Sequence, residues 1–302
     1  MNKIQQSTPF SPVRITDPTG QARWNFVIGG AELTLIAGPC ALESPELGLE
    51  IAETVRDLCR PFGINYIFKA SFDKANRTSI SGFRGPGLEE GLQQLADIGQ
   101  KAGVPTLTDI HESCQAKSAA QAVDILQIPA FLCRQTDLLL AAAKTGKPLN
   151  IKKAQFLAPL DMEHVVKKCR DGGSTSVMLC ERGTFMGYGQ LVADMTSLPL
   201  MRSLGCPVVF DGTHSVQTPG AAGGASGGDR RLVLPLVRSA LAAGVDALFL
   251  ETHPEPDKAL SDGPNMVPLS RMKFLLEQAA ELNAVVREAI GMPSLSWAEE
   301  QN

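Results

Sequence analysis

LTLIAGPC (33–40), PVVFDGTH (207–214) and DALFLETHPEP (246–256) share one form: a short apolar run, rich in β-branched residues, that leads into reactive side chains. Runs this short and this β-prone read as buried strands. The residues at or just past their ends are Cys40, His214 and Glu251, and ALSDGP (259–264) adds Asp262 in the loop after Glu251. A thiolate, an imidazole and two carboxylates at equivalent ends of separate strands can converge on one divalent metal. No short spacing motif announces the set. Taken singly, each residue reads as structural, and only a fold that gathers the strand ends makes them ligands.

The same alternation runs along the chain. Strands are expected at 33–37, 66–70, 104–108, 124–128, 149–152, 177–180, 208–211 and 247–251. Helical periodicity lies between them, at 45–59, 88–101, 137–144 and 229–243, with a last helix over 270–290. Eight alternations in about 260 residues match the size of a (β/α)8 TIM barrel. A doubly wound sheet competes, but AGPCALES (37–44) after the first strand is not a Gly-x-Gly-x-x-Gly turn. VRIT (13–16) and NFVIGG (25–30) predict a β-hairpin, about 12–30, that covers the bottom of a barrel running over about 33–290. We read the whole chain, 1–302, as one domain with a polar tail after Pro293.

Composition narrows the classes. The 302 residues carry a net charge of −4, which offers no general attraction to nucleic acid or acidic membranes. No apolar run reaches the roughly 18 residues of a membrane span. MNKIQQSTPFSPVRITD (1–17) has no signal core, so a cytoplasmic location is expected. Seven cysteines, odd in number and without paired spacing, read as free thiols in a reducing compartment. Apart from Cys40, they (Cys59, Cys114, Cys133, Cys169, Cys180 and Cys206) read as small apolar packers.

A barrel places its chemistry at the carboxyl ends of the strands. The polar residues there are Cys40, Lys69, Lys74, Asn76, Arg77, Asp109, Gln127, Lys152, Arg182, His214, Glu251 and Asp262. Lys69, Lys74, Arg77, Arg84, Lys152, Lys153 and Arg182 concentrate positive charge in an otherwise acidic protein. Such a cluster attracts anionic substrates, and Lys69 and Lys152 should point into the barrel mouth. The bland alternative is a solvated rim paired with surface carboxylates. FKASFDKANRTSISGFRGPG (68–87) combines hydroxyls, lysines and an arginine in one loop, which suits a phosphate monoester. TPGAAGGASGGDRR (218–231) is glycine-rich and reads either as a mobile lid or as a passive loop.

KANRTS (74–79), TDIHE (108–112), LQIPAFLCRQTDLL (126–139), NIKKAQFLAP (150–159), LCERG (179–183), FDGTHSVQ (210–217) and ETHPEPDKALSDGP (251–264) follow in order. Together they resemble the 3-deoxy-D-manno-octulosonate 8-phosphate synthases from about residue 33 to 290. The resemblance implies condensation of phosphoenolpyruvate with D-arabinose 5-phosphate, feeding the inner core of lipopolysaccharide. It implies that Lys152 and Arg182 bind the phosphoenolpyruvate phosphate, with Lys74 near the reacting carbons and Lys69 close by. Asn76 would contact the sugar hydroxyls, and Arg77 and Thr78 the sugar phosphate. Gln127 and Asp109 would line the pocket. Lys74, Asp109 and His214 would be the catalytic groups.

Metal-requiring members of that family have cysteine after Gly-Pro, and metal-independent members have asparagine. Cys40 therefore implies one divalent metal per subunit (Zn, Fe or Mn) held by Cys40, His214, Glu251 and Asp262. A metal-binding thiolate there would also be a target for peroxide. The resemblance further implies a homotetramer with sites near subunit interfaces. The runner-up is the related 3-deoxy-D-arabino-heptulosonate 7-phosphate synthases, whose loop has Pro-Arg where this chain has Asn76-Arg77. A catalytically silent sugar-phosphate sensor is a third reading. It would have lost a ligand or a phosphate cation, and none is lost.

Overall fold

The computed structural model describes residues 8–77, 79–185, 189–219 and 227–290. Eight parallel strands form the centre: β1 (Thr34–Gly38), β2 (Asn65–Lys69), β3 (Thr106–Asp109), β4 (Ile125–Ile128), β5 (Leu149–Lys152), β6 (Val177–Glu181), β7 (Val208–Asp211) and β8 (Ala247–His253). Each pairs with the next, and β8 pairs with both β7 and β1, so the sheet closes on itself. This is the expected (β/α)8 barrel, with strand bounds within about two residues of those read from the sequence.

The helices α1 (Pro45–Cys59), α2 (Leu88–Ala102), α3 (Gln115–Ala122), α4 (Thr136–Ala143), α5 (Met162–Asp171), α6 (Ser197–Arg202), α7 (Val233–Ala243) and α8 (Leu269–Ala284) follow the strands in turn. The start of α1 shows how local sequence sets an element. Ser44 is extended and its hydroxyl accepts from the Leu47 N–H, with Pro45 at the first helical position. Residue 229 caps a 3-10 turn, Arg230–Leu232, rather than opening α7, and α8 ends in a π-helical segment, Val285–Ile290.

Side chains alternate along each strand, and the two parities have different surroundings. Leu35, Ala37, Phe68, Leu126, Ile151, Leu179, Phe210 and Leu250 face the helices in the main core. Ile36, Ile67, Leu107, Ile125, Met178, Val209, Ala247 and Phe249 fill the barrel interior. Val13, Ile15, Trp24 and Ile28 join this inner cluster from an antiparallel hairpin, Val13–Thr16 with Asn25–Ile28. The hairpin is therefore the apolar floor of the barrel. One step up the same inward parity lie Lys69, Asp109, Gln127, Lys152, Asp211 and Glu251, so the interior turns from apolar to charged within one layer.

All seven cysteines are free. Cys114 corrects the expectation of uniform packing, because it lies exposed at the start of α3.

Candidate metal centre and anion pocket

Cys40, Glu251 and Asp262 bring one ligand atom each to within 4.8 Å of one another. Cys40 Sγ is 3.0 Å from Asp262 Oδ2. His214 borders the group: its Nε2 is 3.4 Å from Glu251 Oε1 and 3.8 Å from Asp262 Oδ2. The Nδ1 of the same ring meets Asp211 Oδ2 at 2.7 Å. A buried carboxylate on one ring nitrogen leaves the other to face the cluster, an arrangement common to metal-binding histidines. Asp262 has a left-handed backbone, φ 52°, which an aspartate tolerates better than most residues and which turns its carboxylate inward.

The donors fit a divalent ion. Glu251 Oε2 is buried and has no hydrogen-bond partner, an arrangement that costs free energy unless a cation meets it. A thiolate with an imidazole and two carboxylates suits borderline transition metals. Burial pushes the Cys40 thiol well up, and Asp262 and Glu251 add to it against Lys74 and Lys69. The side chain is fully buried. That burial leaves the sulfur shielded from solvent. Burial also opposes ionisation of Asp262, but Lys74, His214, a hydrogen bond from Cys40 and Lys69 together lower it to about 2.

A cationic pocket opens beside this cluster. It has an outer part of about 290 Å³ and a deeper part of about 70 Å³, which share Lys74, Asn76, Phe131, Gln155, Arg182 and His214. Arg77 lines the outer part, and Lys69, Asp109, Gln127 and Lys152 line the deeper one. Lys74 Nζ lies 2.8 Å from Cys40 Sγ, so it links the pocket to the candidate ligand cluster. Lys69 Nζ donates to the Cys40 carbonyl at 2.9 Å and lies 3.4 Å from Glu251 Oε1. Lys152 Nζ is held by Asp211 Oδ2 at 2.6 Å and sits 3.9 Å over the Phe249 ring. Burial lowers the Arg182 guanidinium, which remains a cation. Its Nη2 donates to Gln217 Oε1 at 2.7 Å, and its buried Nη1 has no partner. A buried cation with a free donor in a cavity is suited to an anionic oxygen.

Some expected residues sit elsewhere. Lys153 points out of the barrel toward Glu181, at 3.5 Å. Arg84 pairs with Asp73 with more than half its side chain exposed, as the solvated-rim alternative has it. Thr78 lies outside the described residues, as does the centre of the loop at 218–231. The described ends of that loop pair as Gln217 with Gly228 and Thr218 with Gly227. Gln127 Oε1 accepts from Asn150 Nδ2 at 2.9 Å, and Arg77 donates to the Ile80 carbonyl in its own loop.

Sequence reasoning missed Asp211, Ser71, His111, Gln155 and Gln217. Asp109 accepts from Ser71 Oγ and meets His111 Nε2 at 3.0 Å, so it is not free to act alone. Asp211 and His111 stood inside FDGTH and TDIHE, and the inward parity of β7 would have found the former. Two larger cavities, about 480 and 490 Å³, lie outside the strand-end cluster. One lies along α5 beside Arg134 and His164, the other near the hairpin end beside Glu32 and Arg287.

A family model described as the DAHP synthetase I family matches residues 12–288. The chain belongs to this family. Three curated relatives are each named 2-dehydro-3-deoxyphosphooctonate aldolase. The one from Desulfotalea psychrophila is 56% identical over 282 residues, covering 93% of this chain and all of the relative. That from Synechococcus sp. is 57% identical over 267 residues, 88% of this chain and 94% of the relative. That from Cyanothece sp. is 59% identical over 249 residues, 82% of this chain and 91% of the relative. The DAHP synthetase I match spans the floor hairpin and all eight barrel strands, so both pocket and metal centre lie inside it.

Proposed function

We propose that this chain condenses phosphoenolpyruvate with D-arabinose 5-phosphate and water, giving 3-deoxy-D-manno-octulosonate 8-phosphate and phosphate for lipopolysaccharide synthesis. The observation that carries the reading is the pocket in which Lys69, Lys152 and the unpartnered Arg182 Nη1 converge beside the Cys40 centre. The curated relatives' shared name supports it.

The reaction joins two multiply charged anions, so cations must offset their repulsion before the carbons can meet. Lys152 and Arg182 hold the phosphate of phosphoenolpyruvate, and Lys69 lies beside it. Arg77 holds the sugar phosphate in the outer part, a role that the resemblance extends to Thr78, and Asn76 bonds the sugar hydroxyls. Carbon 3 of the enol then attacks the aldehyde. Water adds at carbon 2, and phosphate leaves by carbon–oxygen cleavage. Positive charge developing at carbon 2 is stabilised by fixed charges rather than by a covalent nucleophile. Lys74 can give a proton to the aldehyde oxygen as it becomes a hydroxyl. Asp109 and His214 orient groups at the reacting carbons.

Cys40, His214, Glu251 and Asp262 would hold a divalent ion, zinc, iron or manganese, which supplies Lewis acidity and an anchor for water or substrate. We further read the active form as a cytoplasmic homotetramer with sites near subunit interfaces. Exhaustive chelation should abolish turnover, and one equivalent of a divalent metal should restore it. Full turnover in protein shown by elemental analysis to be metal-free would remove the metal from the mechanism.

Side-by-side kinetics with erythrose 4-phosphate tests the substrate. A kcat/KM higher for erythrose 4-phosphate than for arabinose 5-phosphate would make this the seven-carbon synthase instead. Asn76 favours the eight-carbon product, because its amide can bond a longer polyhydroxy chain where a proline could donate nothing.

A further inference from the structure

Lys152 and Lys153 are adjacent, yet strand parity sends them to opposite sides of the barrel wall. Lys153 is fully buried on the helix side. Its ammonium lies 3.5 Å from Glu181 Oε2 and donates to the carbonyls of Ala154 and Leu157 and to Thr184 Oγ1, at 3.3, 3.4 and 3.2 Å. Glu181, at the end of β6, is also fully buried. Its Oε1 accepts the backbone N–H groups of Arg182 at 3.1 Å and Gly183 at 2.7 Å, and its Oε2 accepts Ser197 Oγ at 2.9 Å. Those two N–H groups belong to the turn that carries Arg182 into the pocket. The turn needs a glycine: Gly183 has φ +93°, and a Cβ there would lie 3.0 Å from Leu191 Cβ.

We infer that the buried Lys153–Glu181 pair is a positioning element for Arg182, fixing its guanidinium in the pocket for the phosphate of phosphoenolpyruvate. This deepens the function proposed above and rests on it. Two physical effects combine. The carboxylate clamps consecutive N–H groups, which fixes where the Arg182 Cα stands. Lys153 offsets the carboxylate's charge, which would otherwise sit one residue from the guanidinium and compete with the incoming phosphate for it. Removing one partner of a buried pair leaves an uncompensated charge, and a cation one residue away is the nearest relief.

The test uses the full-length, metal-loaded enzyme. Lys153→Met should raise the KM for phosphoenolpyruvate on the order of tenfold and leave that for arabinose 5-phosphate within about twofold. Calorimetric binding of phosphoenolpyruvate alone should weaken by the same factor. The double variant K153M/E181Q should return both values toward wild type, because a glutamine oxygen still accepts the two N–H groups and no buried charge is left. Ser197→Ala, which removes only one donor from Glu181, should give a smaller rise confined to phosphoenolpyruvate.

A Lys153→Met enzyme with unchanged phosphoenolpyruvate affinity, or with both KM values raised together, would overturn the inference. So would a double variant as impaired as the single one. Should Lys153→Met fail to fold, Ser197→Ala decides, and an unaltered phosphoenolpyruvate KM there counts against the pair. If wild-type enzyme binds phosphoenolpyruvate but does not join it to arabinose 5-phosphate, the function fails while the binding series still tests the positioning.

Discussion

His111 and Asp109 illustrate how one contact sets the charge state of both partners. Burial disfavours the His111 imidazolium, but the hydrogen bond and charge of Asp109 override it and raise the histidine above its ordinary 6.5. Burial likewise works against the Asp109 carboxylate, and the hydrogen bond and charge of His111, with Lys69 and Lys74, hold it well below the usual range. A raised histidine stabilises the fold fully below its ordinary value, and that contribution is lost as pH rises through the folded value. Urea melts of wild type and His111→Asn should therefore differ most below pH 6.5 and converge at higher pH. A difference independent of pH would show that the pair is not charged in the folded state. Arg77 is a simpler case, because among the described residues its guanidinium bonds the Ile80 carbonyl of its own loop and nothing else. Arg77→Ala should raise the KM for arabinose 5-phosphate by about 1.5–3 kcal/mol of lost charged hydrogen bonding. With phosphoenolpyruvate assigned to Lys152 and Arg182 on other strands, as proposed, its KM should stay unchanged, and steady-state kinetics with each substrate varied in turn separates the two.

Strands β1 and β2 approach closely enough that their ends admit only glycine at one position. A Cβ on Gly38 would lie 2.0 Å from the Lys69 carbonyl oxygen, a backbone atom that cannot move alone. Gly38 also stands in register with Glu251 on β8 and two residues before Cys40. Gly38→Ala should thus cost about 3 kcal/mol or more and part Cys40 from Glu251. Denaturant melts would read the first effect, and bound metal per chain the second. Wild-type metal content in a destabilised Gly38→Ala protein would mean that the centre tolerates a shifted β1. Elements were also the scale at which the sequence was most legible. Short, continuous apolar runs, often β-branched, located every barrel strand, because a strand buried on both faces must be apolar along its length. Helix ends were less so: residue 229 reads as a helix start yet caps a 3-10 turn first.

For the molecule as a whole, the hairpin and the strand-end site occupy opposite ends of one barrel interior. Ile15 is 2% exposed and packs with Ile36, Ile67 and Phe249 of the inner cluster. Ile15→Ala should cost about 2–4 kcal/mol by leaving a cavity in that floor. Neither KM should change, since the charged layer stands above it. Thermal melts beside kinetics check this, and a large change in either KM would show that the floor sets the geometry of the site. Among the described residues no helix is long and apolar enough to cross a membrane.

Cys40, His214, Glu251 and Asp262 could be named from the sequence because each follows a recognisable strand, and a barrel collects strand ends at one rim. The cationic residues could be named for the same reason. What the linear text decided only in part was side. Lys152 reads as pointing into the barrel mouth, but the adjacent Lys153 reads as a strand-end cation beside it, and it is the pairing of β5 with β4 and β6 that sends Lys153 to Glu181. Asp211 was likewise visible as a letter, but the lysine it holds, Lys152, lies 59 positions away. Parity along a strand is a local property, fixed once the strand is known. Which parity faces inward, and what stands opposite at 3 Å, depends on closure of the sheet, a long-range condition that no short stretch of sequence contains.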